Sequence, residues 1–474
     1  MEIRSSYDNK QPQRKKSFFS RKKITIIIIV ALLVGGTGLF FYVKNNKTEL
    51  AISSLNIFNK ISKFVISSQD TQKEIDALNT LVQEFTKKDG QTRSFLFLLQ
   101  NNMELRPGGG FLGQYAVFKI KDGAVISSYF EDANLLDQRI TAKITPPYPL
   151  TRMMQIKKWK FRDSNFSPDF PTNVEKAKYF YRLAGGNSNF DGVIAVNASV
   201  LNDVLVVTGP ISIPGYNVTL NSENAVSKLE EIVEKAYIMD PELDTQNRKA
   251  IMKTLTTTLV DKLMNLSNIS KLADLAHKEM QRKNIMLNFT DANLQSLVES
   301  VYWGGKVATD WSGDYFMTVD ANMGALKTDH YIQREYNYEI DLTQEKPQVY
   351  VNILYKNTAP YGDWRTSDYH SYLRVYAPKG ATLLERKMVS YPNIQEEFDR
   401  TSLGFILHVL IGRETNVEIK YELPEEFPQE NYRLLVQKQS GIADAPIKVK
   451  VKTKYGEFEQ SGILNKDLTF KFEE

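Results

Sequence analysis

The chain of 474 residues contains no cysteine. That absence excludes a disulfide scaffold, a cysteine-ligated zinc ribbon, an iron–sulfur centre and a thiol nucleophile. Histidine is nearly as scarce. His277, His330, His370 and His408 are the only four, and none stands at His-x-His or His-Glu-x-x-His spacing, so no zinc site is legible. There is no Gly-x-Ser-x-Gly elbow and no Walker A loop, and Gly108–Gly113, although spaced as Gly-x-Gly-x-x-Gly, leads into the strand-like Tyr115–Ile120 and not a helix, so it is not a dinucleotide fingerprint. Internal repeats and low-complexity linkers are lacking too. The apolar share of 42% and charged share of 24% are those of ordinary globular domains.

Charge of one sign is also scarce over most of the chain. The formal net charge is +4, but residues 1–23 hold eight basic and two acidic side chains, which leaves −2 for everything after them. A nearly neutral body excludes a general nucleic-acid partner. The surplus instead borders the one long apolar run. Ile24 to Val43 is 20 residues without a charge, enough for a helix of about 30 Å, the hydrocarbon thickness. Seven basic residues from Lys10 to Lys23 precede it, and only Lys44 and Lys47 follow closely. By the positive-inside rule the N-terminus is cytoplasmic and residues 44–474 are extracytoplasmic. A cleaved signal peptide is the rival reading. Its apolar core would be shorter and end in an A-x-A-like site, so length favours an uncleaved transmembrane signal anchor.

Beyond the anchor, residues 44–90 read as a helical stalk or a first packing helix, with Ile75, Leu78, Leu81, Val82 and Phe85 at helical spacing. Residues 91–330 alternate strand and helix signals and read as an α/β domain. Phe95–Leu99 is a continuous apolar run, as in a strand buried on both faces, and Lys121-Asp122-Gly123 marks a hairpin turn. A short strand over 315–319 falls in the same domain. Residues 331–474 read as a β-sandwich of about seven short strands with immunoglobulin-like character.

Three stretches offer chemistry. In Arg106-Pro107-Gly108-Gly109-Gly110 the glycines let backbone N–H groups approach an anion, and Arg106 adds a bidentate donor; the same residues also suit a tight turn between strands. Lys160–Pro171 mixes aromatic, charged and proline residues without periodicity. There Asp163 and Asp169 suit a metal or sugar, and Arg162 a phosphate, or all three serve the loop's own backbone. Asp320-Ala321-Asn322-Met323-Gly324, with Lys327 and Asp329, suits a strand-end site or a turn.

Four stretches, in order, carry a resemblance: Phe97 to Gly113, Arg162 to Pro171, Asp191 to Val196, and Thr208-Gly209-Pro210. Together they resemble a bacterial envelope family catalogued as domain-of-unknown-function 4012, over about residues 90–340. More distantly, the motif order is similar to the LytR-CpsA-Psr family, which transfers glycopolymers from a polyprenyl pyrophosphate carrier to the cell wall. That likeness implies a LytR-CpsA-Psr-like α/β domain in which Arg holds pyrophosphate and Asp holds Mg²⁺. Arg106, Asp132 and Arg248 match family positions, whereas Gly108, Glu131 and Lys249 stand where the family has Asp, Arg and Gln. The resemblance implies phosphate binding by Arg106 and Arg248 and Mg²⁺ on Asp132. From the loops themselves, Arg162 and the backbone of Gly108, Gly109 and Gly110 are further candidates for phosphate, Asp163 for Mg²⁺, and Asp132, Asp163 and Asp169 for catalytic carboxylates, with Arg162, Asp163 and Asp169 standing in for the lost Arg and Asp. Two functions from different classes follow. One is a membrane-anchored cell-envelope protein that binds, or binds and transfers, a polyprenyl-phosphate-linked lipid or cell-wall glycan. The other is a non-catalytic surface module for glycan or protein partners, favoured by the substitutions at Gly108 and Glu131.

Overall fold

A computed structural model describes residues 69–235 and 269–472, with isolated positions between 251 and 262. The expected anchor Ile24–Val43 and most of the expected stalk lie outside the described residues. No helix among the described residues is long and apolar enough to cross a membrane.

The first described element, α1 (Gln69–Thr86), turns Ala77, Leu78, Leu81, Val82 and Phe85 into a core shared with the strands that follow. It is a packing helix, and the stalk reading does not apply to it. Strands β1 (Thr92–Asn101), β2 (Phe111–Lys121) and β3 (Ala124–Asp132) form an antiparallel meander. The β2–β3 turn puts Asp122 and Gly123 at φ of 50° and 69°, the left-handed pair that a two-residue hairpin needs. Next come α2 (Ala133–Arg139), α3 (Tyr148–Met154) and α4 (Phe170–Leu183). After α4 the chain returns as β4 (Gly192–Asn197), parallel to β1, and then forms α5 (Val200–Thr208). A small ribbon, β5 (Ile211–Ile213) with β6 (Val218–Leu220), leads to α6 (Ala225–Glu230). Beyond it lie α7 (Ile269–Gln281), β7 (Ile285–Phe289) and α8 (Ala292–Ser300). The sheet order is β3-β2-β1-β4-β7, with β1–β4 its one parallel pair. As the apolar run predicts, β1 is buried on both faces. Phe95 and Phe97 enter the core with α1 and α5, while Leu96 and Leu98 enter the core with α2 and α4.

The rest of the described chain is a sandwich of two six-stranded sheets. Its strands are β8 (Asp314–Asn322), β9 (Ile332–Asp341), β10 (Gln348–Asn357), β11 (Tyr369–Pro378), β12 (Thr382–Lys387) and β13 (Asn393–Glu397), continued by β14 (Arg400–Val409), β15 (Glu414–Glu422), β16 (Arg433–Val436), β17 (Pro446–Thr453), β18 (Gly456–Ile463) and β19 (Leu468–Lys471). One sheet runs β12-β15-β10-β9-β17-β18 and the other β13-β14-β11-β8-β16-β19. Their inner faces meet in one core, with Tyr336, Val351 and Ile419 from the first and Leu373, Phe405 and Leu407 from the second.

Two expectations are corrected here. β8 precedes the expected boundary at 330/331, yet it pairs with β11 and β16 inside the sandwich. Five strands also go beyond the seven read from sequence: β8, β12, β13, β18 and β19. The edge strands β12, β13 and β18 are mostly exposed, so they carry no alternating apolar pattern to read. β19 has only four residues.

Candidate functional site

The glycine loop joins β1 to β2 and lies where the α/β unit meets the sandwich. Its N–H groups are occupied. Gly108 donates to Asn165 O at 3.0 Å, Gly109 to Arg106 O at 2.9 Å and Gly110 to Gln100 Oε1 at 3.0 Å. No side chain fits there. At Gly109, with φ of +127°, a Cβ would sit 2.6–2.8 Å from Gln100 Oε1, Asn197 Oδ1 and Ser440 Oγ. Opposite, Gly441 of the β16–β17 loop has φ of +86°, and a Cβ on it would lie 2.0 Å from Gly109 O. Bonds cross the junction from both sides: Gln439 Nε2 to Arg106 O (3.2 Å), Asn197 Nδ2 to Ser440 Oγ (3.1 Å) and Asn322 N to Leu105 O (3.0 Å).

Arg106 is 1% exposed and committed to protein. It donates to Glu104 Oε1 (2.9 Å), Asp163 Oδ1 (3.4 Å), Leu105 O (3.3 Å) and Asn322 O (3.1 Å). Burial opposes its charge, but the Glu104 and Asp163 carboxylates outweigh burial and raise it above the usual arginine value. Asp163 has only the longer contact, and burial lifts it above the ordinary carboxylate range despite Arg106.

The other expected residues are also engaged. Arg162 Nε donates to the fully buried Asp137 at 2.6 Å. Asp169 caps α4, accepting from Thr172 N (3.0 Å) and Thr172 Oγ1 (2.6 Å), and its second oxygen accepts from Val307 N at 3.0 Å. Asp132 caps α2 through Asn134 N at 2.9 Å. Its neighbour Glu131 takes two bonds from Arg139, at 2.8 and 2.5 Å, and one from Tyr115 at 2.5 Å. Arg248 lies outside the described residues. The structure thus joins Arg106 to Asp163 but directs Arg162, Asp169 and Asp132 to separate tasks. Among the described residues no three His, Asp or Glu side chains converge to hold a metal ion. These carboxylates do not fit Mg²⁺, which needs a near-octahedral set of oxygens. The Asp320–Asp329 stretch likewise closes on itself. Arg334 Nε donates to Asp320 at 2.8 Å, and Asp329 accepts from Leu105 N (3.0 Å), Asn322 Nδ2 (2.7 Å) and Tyr369 Oη (2.7 Å).

A second meeting place of the two units is different. A cleft of about 320 Å³ opens between the α3–α4 segment and the outer face of β11, β13 and β14. Trp159, Tyr148 and Phe166 line it from one side, and Tyr372 and Arg374 from the other. The Tyr148 and Tyr372 rings meet edge to face at 6.3 Å. Tyr372 can lie flat across β14 because Gly404 is beneath it, where a Cβ would come within 2.1 Å of its hydroxyl. Lys176 Nζ rests 4.4 Å from the Trp159 ring centre, and no carboxylate among the described residues pairs with it. Arg374 donates to Phe166 O and Glu397 Oε1, both at 3.3 Å. Its Nε has no partner, nor does Ser164 Oγ. Both side chains line the cleft and are nearly closed to solvent, at 8% and 1% exposure. A buried donor without a partner costs about 1–3 kcal/mol, and two of them on the walls of one cleft leave hydrogen-bonding capacity there for a ligand group or water.

The Lys160–Pro171 loop was singled out from sequence, and it supplies Ser164, Phe166 and Ser167 to this cleft. Trp159, Lys176, Tyr372 and Arg374 were missed. The one usable signal was Trp159 immediately ahead of that loop; the β11 pair carries no motif.

Residues 90–233 match the model of a family described as a protein of unknown function, DUF4012, the family that the four motifs resemble. Among solved structures, protein gbs0355 from Streptococcus agalactiae is 16% identical, covering 46% of this chain and 75% of that one, with a TM-score of 0.29. The Lin1025 protein from Listeria innocua is also 16% identical, covering 46% and 80%, with a TM-score of 0.25. No curated protein matches.

Proposed function

We propose that the protein is a single-pass, outward-facing envelope protein that holds an acidic glycan in the cleft between its α/β unit and its sandwich, without transferring it. One observation carries this reading: Ser164 Oγ and Arg374 Nε are buried donors without partners on the walls of one aromatic cleft. Trp159 and Tyr148 offer flat apolar surfaces to the C–H face of a sugar ring, and the free donors suit its hydroxyl or acid oxygens. Lys176, with no carboxylate upon it, adds positive charge for a phosphate or carboxylate on the glycan.

In this reading Ile24–Val43 anchors the chain, with residues 1–23 in the cytoplasm. The α/β unit keeps the LytR-CpsA-Psr-like arrangement that the motif order suggests, but not its pyrophosphate chemistry. Group transfer is left out because Arg106, Arg162, Asp163 and Asp169 are bonded to one another, to Asp137 or to backbone.

The test is binding of a phosphate-bearing cell-wall glycan by the full chain in lipid nanodiscs. Trp159→Ala is expected to weaken binding by about tenfold or more. Lys176→Met is expected to weaken it less and to flatten its salt dependence. Unchanged affinity in both variants would sink the reading.

A further inference from the structure

We propose that His370 and His408 form a two-nitrogen site for a borderline divalent transition ion of the Zn²⁺, Cu²⁺ or Ni²⁺ class. The two residues are 38 positions apart in sequence, so no spacing motif announces them. The register of β11 and β14 places them directly opposite each other. Their ring centres are 4.7 Å apart with planes at 76°, and the two Nδ1 atoms face each other at 2.5 Å. His408 is exposed and His370 half-buried, so an ion reaches them from solvent.

Two neutral imidazole nitrogens face each other stably only when something positive lies between them. Without metal that is a proton, donated by one ring and accepted by the other. A metal ion takes the same place. Zinc–nitrogen bonds of about 2.0–2.1 Å at angles of about 90–109° need nitrogens about 2.9–3.3 Å apart, an opening of under about 1 Å. Rotation of two side chains on a sheet surface provides it, while the paired strands hold the Cβ atoms in place.

The surroundings favour the ion. Neither ring hydrogen-bonds a carboxylate among the described residues, unlike His277, whose Nε2 meets Glu74 at 2.7 Å. Since no third His, Asp or Glu among the described residues converges there, water completes the coordination and the site stays open. Tyr372 and Arg374, the next residues on that face of β11, line the cleft, so the ion would sit at its end.

The test is a Cu²⁺ titration of the tag-free full chain followed by electron paramagnetic resonance. A single bound Cu²⁺ coupled to two imidazole nitrogens is expected. His370→Ala and His408→Gln should each weaken binding by about tenfold or more and remove that coupling, while His277→Ala changes neither. The glutamine keeps a hydrogen-bonding group opposite His370, and an unchanged thermal unfolding curve for that variant separates lost metal from lost fold. Equal Cu²⁺ affinity in the wild type and the His370/His408 double variant, or bound copper without imidazole coupling, would overturn the proposal.

Discussion

The α/β unit and the sandwich face each other in two polar places, and the two differ in whether their charged donors are fully partnered. At the glycine loop every N–H of Gly108, Gly109 and Gly110 is bonded within the protein, and Arg106 has four acceptors. At the cleft, Ser164 Oγ and Arg374 Nε have none, and Lys176 lies on a ring. Glycine and arginine together resemble an anion cradle, yet here they make a joint. The cleft has a less suggestive composition; each place holds a neutral donor without a partner, Ser164 Oγ at the cleft and Gln100 Nε2 at the glycine loop, so the contrast rests on Arg374 and Lys176 against Arg106. What separates a joint from a binding site is the accounting of hydrogen bonds, which residue type alone does not reveal.

The sharpest way to break this comparison is Arg106→Met. If the loop is a joint, removing the guanidinium strands buried carboxylates and destabilises the fold by about 3–5 kcal/mol, read by chemical denaturation, with glycan affinity unchanged in the folded fraction. If the loop were an anion site, affinity would fall with stability intact.

A second, smaller effect is a pH slope at the same joint. Lys438 is fully buried, donating to the carbonyls of Arg282 (3.2 Å), Gln439 (3.1 Å) and Ile442 (3.0 Å). Burial, and then Lys283, lower its pKa to about 7 from 10.5. Between those values the unfolded chain binds the proton and the folded one does not, so stability rises with pH across that window, by at most about 1.4 kcal/mol per unit. In Lys438→Met that contribution to the slope disappears. Equal slopes in the variant and the wild type from pH 7.5 to 9.5 would show that Lys438 is charged in the joint.

The smallest effect should come from Ser164→Ala in the cleft. Its hydroxyl has no partner to lose, so stability without ligand should stay within about 0.5 kcal/mol or rise, while glycan affinity falls. A clear loss of stability would make Ser164 part of a closed network and bring the two places together.

How much of this was legible in the sequence depends on the kind of signal. The run Phe95–Leu99 announces a strand covered on both faces, and Asp122-Gly123 announces its hairpin, because both signals are local. β12 and β18 were invisible because edge strands carry exposed polar residues and are defined by their neighbours. β8 was read as a strand but assigned to the wrong unit, since nothing in its own residues names its partners. In the sequence the glycine loop reads as a place of close backbone approach to an anion or as a tight turn. Gly441 approaches it in the structure, and no local pattern announces a contact more than 300 residues distant. The cleft was half legible, through the Lys160–Pro171 loop, because its other wall comes from β11.

The parallel pairings of the sandwich also constrain the order of assembly. β16 lies beside β8 and β17 beside β9, so the last strands of the chain complete both sheets next to the first. These contacts span more than 100 residues, and their loop-closure cost falls late in folding. Until Arg433–Thr453 is available, β8 and β9 each present a bare edge of unpaired amides, and the loop bearing Ser440 and Gly441 is missing from the joint at Gly109. A chain emerging from the ribosome would therefore keep its sandwich open to misplaced strands, or to a chaperone, until nearly all of it had been made.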